Sequence, residues 1–171
     1  HAHSVAGSIF DAIGYPQAHM DFCYENGGEA LALTDHGNMN GLAYQVLHAK
    51  NMKDSGKEFK PIFGCEAYFI PSIDEWREEY TRAMEDKKRA RSAKKDKASG
   101  ATVEDESDSK KTQDILRRRR HLVLLVQNQT GLNNLFKLVS ESYQSENFYR
   151  YPRIDYKLLK KYNEGIIAAS A

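Results

Sequence analysis

Six side chains of this sequence have the types and the spacing that hold divalent cations, and the chemistry such a set supports is hydrolysis of a phosphoester. His1 and His3 stand two apart, so on an extended segment both imidazoles project from one face. Alone, a terminal pair of this kind also fits a remnant of an affinity tag. Asp11 follows Ser8-Ile-Phe and adds a carboxylate to the same stretch. Thr34-Asp35-His36-Gly37 sits where a buried strand gives way to a helix, the edge on which parallel α/β folds gather ligands and catalytic groups. There His36 offers a ring nitrogen, and Asp35 is expected to orient a neighbouring histidine as its hydrogen-bond acceptor. A plain turn, capped by Asp35 and relieved by Gly37, accounts for the same residues. Glu66 lies inside the apolar stretch Ile62–Ile70, where an ionised carboxylate needs a partner. Alternation puts it on a face with Gly64 and Tyr68, and turns Cys65 toward the core. His121 opens another apolar run directly after Arg117–Arg120 and is the sixth ligand candidate. His19 and His48 fall on helices and read as packed or solvated, and Cys23 reads as a small core hydrophobe.

Nitrogen and oxygen donors in this mixture suit zinc, manganese or iron. Divalent ions sharing a bridging carboxylate generate a hydroxide nucleophile and offset the charge of a phosphoryl transition state. On this reading His1, His3, Asp11, His36, Glu66 and His121 ligate metal, and Glu66, His36 and Asp35 carry catalysis.

These residues must be positioned by alternating strands and helices. A helix is expected over 16–28, opened by Pro16 and closed by Asn26-Gly27-Gly28. Strands are expected at 30–34, 60–70, 121–126 and 165–169, and further helices at 40–54, 132–139 and 155–163. That order predicts an α/β fold with a mainly parallel sheet. One difficulty is geometric. In a parallel barrel the start of a strand lies away from the active face, so for His121 to reach the site either its strand runs against the others or the strand boundary lies elsewhere.

The chain has 171 residues, 40% of them hydrophobic, enough for one domain with a buried core. Its formal charge of +1 hides an asymmetry, because residues 74–120 hold 15 of the 25 basic and 12 of the 24 acidic side chains. This block is read as a charged surface insertion, helical over 74–97 and loosely structured over 98–109, with contact between its arginines and DNA as the functional alternative. Two cysteines exclude a disulfide framework, and a reducing, cytoplasmic setting follows. No apolar run approaches the roughly 20 residues of a membrane span, so no membrane partner is expected. The chain opens on histidine and ends just after an apolar run, as expected of a piece of a longer polypeptide.

Several segments resemble the polymerase-and-histidinol-phosphatase (PHP) domain: His1-Ala-His3-Ser4, Ser8-Ile-Phe-Asp11, Ala30-Leu-Ala-Leu-Thr-Asp-His-Gly-Asn38, Lys60-Pro-Ile-Phe-Gly-Cys-Glu66, and His121-Leu-Val-Leu-Leu-Val126 with Thr130-Gly131 and Asn134-Leu-Phe-Lys-Leu138. Pro152-Arg-Ile-Asp155 and Glu164-Gly-Ile-Ile-Ala168 are similar to the domain of this family that opens the alpha subunit of bacterial DNA polymerase III. The resemblance implies that residues 1–171 are the N-terminal part of a distorted seven-stranded β/α (TIM-like) barrel holding up to three metal ions. By the same analogy His1, His3 and Glu66 hold one ion, Glu66 and His121 a second, and Asp11 and His36 a third. It implies a role in DNA replication, with DNA and the remainder of the alpha subunit as partners. In some family members the domain is a 3′–5′ exonuclease that proofreads, and in others it only buttresses the polymerase; a free-standing phosphatase is the further alternative. The family's remaining ligands, a Cys or His and an Asp and His, are expected beyond Ala171, so the fragment alone is expected to be inactive. Gly7 lengthens the loop between His3 and Asp11, which bears on the third site.

Overall fold

The computed structural model describes residues 1–96, 114, 115 and 117–171. In chain order the elements are α1 (Pro16–Glu25), β1 (Ala30–Leu33), α2 (Leu42–Asp54), β2 (Lys60–Phe69), α3 (Ile73–Asp96), β3 (Arg120–Val126), α4 (Gln129–Ser142), β4 (Phe148–Tyr149), β5 (Tyr151–Ile154), α5 (Tyr156–Tyr162) and β6 (Ile166–Ser170). No helix among the described residues is long and apolar enough to cross a membrane.

The sheet is built around β2. Its first half pairs in parallel with β1, from Ala30 opposite Lys60 to Leu33 opposite Phe63. Its second half pairs antiparallel with β3, which sets Val123 opposite Glu66 and His121 opposite Tyr68. At Glu66 the other edge is taken by a parallel bridge to His36, and farther on by β5 at Tyr68 and Phe69. β1 and β5 therefore follow one another along one edge of β2 while β3 fills the other. The full order is β4-β5-β2-β3-β6, with β1 beside β2.

The sheet is mixed rather than mainly parallel, which corrects the expectation from the sequence, because β3 runs against β2 and β6 runs against β3. It is also open: among the described residues no pairing joins β4 to β6, the two ends of the order. The reversal has a topological cause. The chain leaves the sheet after Phe69 and returns at Arg120, which is paired with Phe69 itself, so the strand that follows must run back along β2. That reversal delivers His121, at the start of its strand, to the end of β2 that carries Glu66 and Tyr68.

The main core lies under the sheet, where Cys65, Ala67, Leu124 and Ile154 meet Leu135 and Leu138 of α4. Burial pushes the Cys65 thiol up to about 12, so it stays protonated and acts as a hydrophobe. Cys23 is only half buried, with its thiol 3.5 Å from the Ala30 carbonyl, rather than a core residue. Asn128 caps α4 by accepting from the Gly131 N–H at 2.9 Å.

A second cluster joins Ile70, Ile73 and Trp76 with Tyr80, Ile115, Tyr149 and Leu158. Trp76 donates from its indole nitrogen to the Ile115 carbonyl at 2.8 Å. The first turns of α3 are thus docked, although their charge suggested a solvated helix. The stretch 98–109 lies outside the described residues.

Candidate metal centre

The centre forms where three backbone segments lie side by side. Ala2 makes a parallel bridge to Leu33, and the Thr34 N–H donates to the Ala2 carbonyl at 2.8 Å, so the N-terminal segment lies along β1 as a further strand. His1 and His3 flank that bridge and share a face. The Glu66 N–H donates to Asp35 and the Gly37 N–H to Glu66, which brings His36 beside Glu66. β3 supplies His121 from the opposite edge.

Glu66 is 2% exposed, and four imidazoles converge on its carboxylate. Oε2 lies 3.2 Å from His1 Nε2 and 3.1 Å from His3 Nε2. Oε1 lies 3.4 Å from His36 Nδ1 and contacts His121 Nδ1. Asp11 stands at the rim with Oδ2 2.6 Å from His36 Nε2. The rings also pack on one another. His3 stacks on His36 with centroids 4.2 Å apart, and Tyr68 lies parallel to His36 at 6.0 Å and edge-on to His121 at 5.3 Å.

Two groups of donors are close enough to share an ion: His1, His3 and Glu66, and His36, Glu66 and His121. The pattern of hydrogen bonds fits a cation between them. Thr34 Oγ1 lies 2.7 Å from His1 Nδ1 and 3.4 Å from the Ala2 carbonyl, which anchors the His1 ring with Nε2 facing Glu66. A metal ion would fit between that nitrogen and the carboxylate. The Nδ1 atoms of His3 and His36 are buried without a hydrogen-bond partner. The separations of 3.1 and 3.2 Å match the donor-to-donor edge of a tetrahedron with bonds of about 2.0 Å, roughly 3.3 Å. Since a neutral imidazole has one lone-pair nitrogen, His36 can ligate on its Asp11 side or on its Glu66 side, not both.

Asp35 differs from its expected role. Instead of meeting a histidine, its buried carboxylate accepts from the Ser4 N–H at 2.6 Å, the Ser4 hydroxyl at 2.8 Å and the Ser8 hydroxyl at 2.9 Å. Ser8 Oγ in turn accepts from the His36 N–H at 3.0 Å. Asp35 is therefore a strut that fixes the loop from His3 to Asp11 against the turn bearing His36. Gly7 lies in this loop at a close approach: a Cβ there would meet the Asp35 side chain at 2.6 Å, and its carbonyl accepts from Asn38 Nδ2 at 2.8 Å. Gly7 is thus tied down, and Asp11 reaches His36.

Of the other histidines, His48 pairs with Asp21 at 2.8 Å and His19 lies on α1. Neither belongs to the centre. Sequence reasoning missed Thr34, Ser4 and Ser8 as positioning residues, and left Tyr68 without a role although alternation had put it on the face of Glu66.

The PHP domain model matches residues 1–171. The chain is also similar to proteins named DNA polymerase III subunit alpha. That of Chlamydia pneumoniae is 35% identical over 172 residues, covering 99% of this chain and 10% of the relative. That of Treponema pallidum is 33% identical over 171 residues, covering 100% and 11%. That of Aquifex aeolicus is 35% identical over 149 residues, covering 86% and 10%. The chain thus spans about a tenth of the length of these relatives. With the match running from His1 to Ala171 and the histidines gathered on Glu66, this chain belongs to the PHP domain family.

Proposed function

We propose that the chain is part of the PHP domain of a DNA polymerase III alpha subunit, acting in DNA replication in the cytoplasm, and that it supplies ligands to a metal-dependent phosphoesterase that trims DNA 3′ to 5′. The observation that carries this reading is the buried Glu66 carboxylate with two imidazoles on each oxygen. His1, His3 and Glu66 Oε2 would hold one ion, Glu66 Oε1 and His121 a second, and Asp11 with His36 a third, each of them zinc, manganese or iron. Ions bound there supply a hydroxide nucleophile near neutral pH and offset the charge developing on phosphorus.

The chain's own residues set the conditions. Glu66 keeps its two oxygens apart for two positions, Thr34 anchors the His1 ring with Nε2 toward Glu66, and the Asp35 strut holds Asp11 against His36. In the net reaction a water oxygen ends on phosphorus, the P–O3′ bond breaks, and the 3′ oxygen of the shortened strand takes a proton. The name borne by the relatives favours a polymerase setting over a free-standing phosphatase. Release of 3′-terminal nucleotides by the full-length parent protein, with manganese or zinc, is the test. Glu66→Ala is expected to reduce the rate at least about a hundredfold, as loss of a bridging ligand and its neighbours does. Activity indifferent to Glu66 would contradict the catalytic reading and leave the domain a structural support.

A further inference from the structure

Arg119 stands apart from the arginines around it. Arg118 is ion-paired with Glu79 at 3.0 Å, and Arg153 is fully buried with its guanidinium on the carbonyls of Tyr149, Tyr151 and Arg118 and against the Trp76 ring. Arg119 has no carboxylate partner among the described residues. Its guanidinium carbon sits 3.9 Å from the Tyr151 ring centroid and 5.3 Å from that of Tyr68. One NH group reaches the Arg117 carbonyl at 3.2 Å, while Nε is buried with no partner.

The position of this cation matters. Arg119 precedes His121 by two residues, so it extends the same face of the sheet as His121 and Glu66. The Tyr68 ring beneath it is the ring that lies against His36 and His121. One tyrosine thus separates the metal centre from a guanidinium that has no carboxylate partner among the described residues. Tyr68 and Tyr151 contact each other at 5.1 Å and hold the guanidinium plane, which limits the side-chain entropy lost on binding. Arg153 nearby adds a second positive charge.

We propose that Arg119, mounted on Tyr68 and Tyr151, binds a backbone phosphate of a polynucleotide strand whose neighbouring phosphate lies at the Glu66 centre. The inference rests on the phosphoesterase reading and adds the residue by which the site would select a strand with successive phosphates over a small ester with one. The planar fork of arginine suits phosphate oxygens, and the two rings aim it before the strand arrives. Arg119 is thus a specificity-determining residue.

The experiment uses the full-length parent protein, wild type and with Arg119→Gln and Arg119→Lys, on a single-stranded oligothymidylate and on bis-p-nitrophenyl phosphate, which has one phosphate and no neighbour. In Arg119→Gln the ratio of kcat/KM for the oligonucleotide to that for the small ester falls about tenfold, and Arg119→Lys, which keeps the charge without the fork, falls less. Binding of a hydrolysis-resistant phosphorothioate oligothymidylate gives an independent readout. Its salt slope shrinks by roughly 0.7 in Arg119→Gln, the change for one fewer phosphate neutralised on a single strand. An unchanged ratio with an unchanged slope overturns the proposal, as does an equal loss on both substrates. If the wild type hydrolyses neither substrate, the phosphoesterase reading fails and the salt slope alone decides the role of Arg119.

Discussion

Asp35 and Glu66 are two buried carboxylates one bridge apart, and their partners give them opposite tasks. Glu66 faces four imidazoles, each able to bind a cation through a ring nitrogen, so we propose it as a ligand. Asp35 faces one N–H and two hydroxyls, all donors, so it is a strut. Asp35→Ala would leave buried Ser4 and Ser8 groups unsatisfied, at a cost on the order of 1–3 kcal/mol in stability. It should also loosen Asp11 from His36, so metal affinity falls together with the melting temperature. Wild-type affinity in a destabilised variant would separate the strut from the site. The six metal-ligand candidates were legible from residue type and spacing. The work of Asp35 was not, because its donors lie 27 and 31 residues away in the chain, and no local pattern records a contact of that separation.

Among the elements, the apolar runs marked the longer strands, and the helices begin within three residues of their expected starts, since burial on one or both faces writes its period into the sequence. Strand direction was not legible, because β3 would read the same running with β2 or against it. The hairpin of β4 and β5 was overlooked as well. Phe148, Tyr149 and Tyr151 favour extended backbone, but Pro152 argues against a strand, and the turn rests on Arg150 in the left-handed region at φ 59°. The contact between α4 and α5 carries a pH prediction. Glu141 accepts from Lys161 at 2.8 Å and from Tyr162 at 2.6 Å, and the Lys161 hydrogen bond, followed by that of Tyr162, holds its carboxyl below the ordinary value of 4.5. A carboxylate lowered in the folded state adds stability above its unfolded value, and that stability is lost as pH falls through the folded value. The melting temperature of wild type should exceed that of Glu141→Gln at neutral pH, and the gap should close in acid. A gap that persists in strong acid would mean the contact is not ionic.

For the whole molecule, the near-neutral charge divides between a sparsely charged sheet and the excursion from 74 to 120. The excursion starts and ends at one point on the sheet rim, between Phe69 and Arg120, which permits a long charged segment there without disturbing the strands. We propose that most of it is an insertion on the surface, anchored by Trp76. Trp76→Ala should cost about 3–5 kcal/mol, as for other large buried aromatics, measured by denaturant unfolding followed by circular dichroism. A loss below about 1 kcal/mol, the range of surface substitutions, would show that α3 is not docked. The anchor was hidden because two aromatics, Trp76 and Tyr80, among so many charges leave little helical stripe.

All these scales meet at Glu66. The most direct measurement is anomalous diffraction from crystals of the parent protein grown with manganese or zinc. The account predicts one peak between Glu66 Oε2 and the rings of His1 and His3, and another beside Glu66 Oε1 and His121. Absence of any peak within about 3 Å of the Glu66 carboxylate, beyond the reach of a metal–oxygen bond, would contradict it.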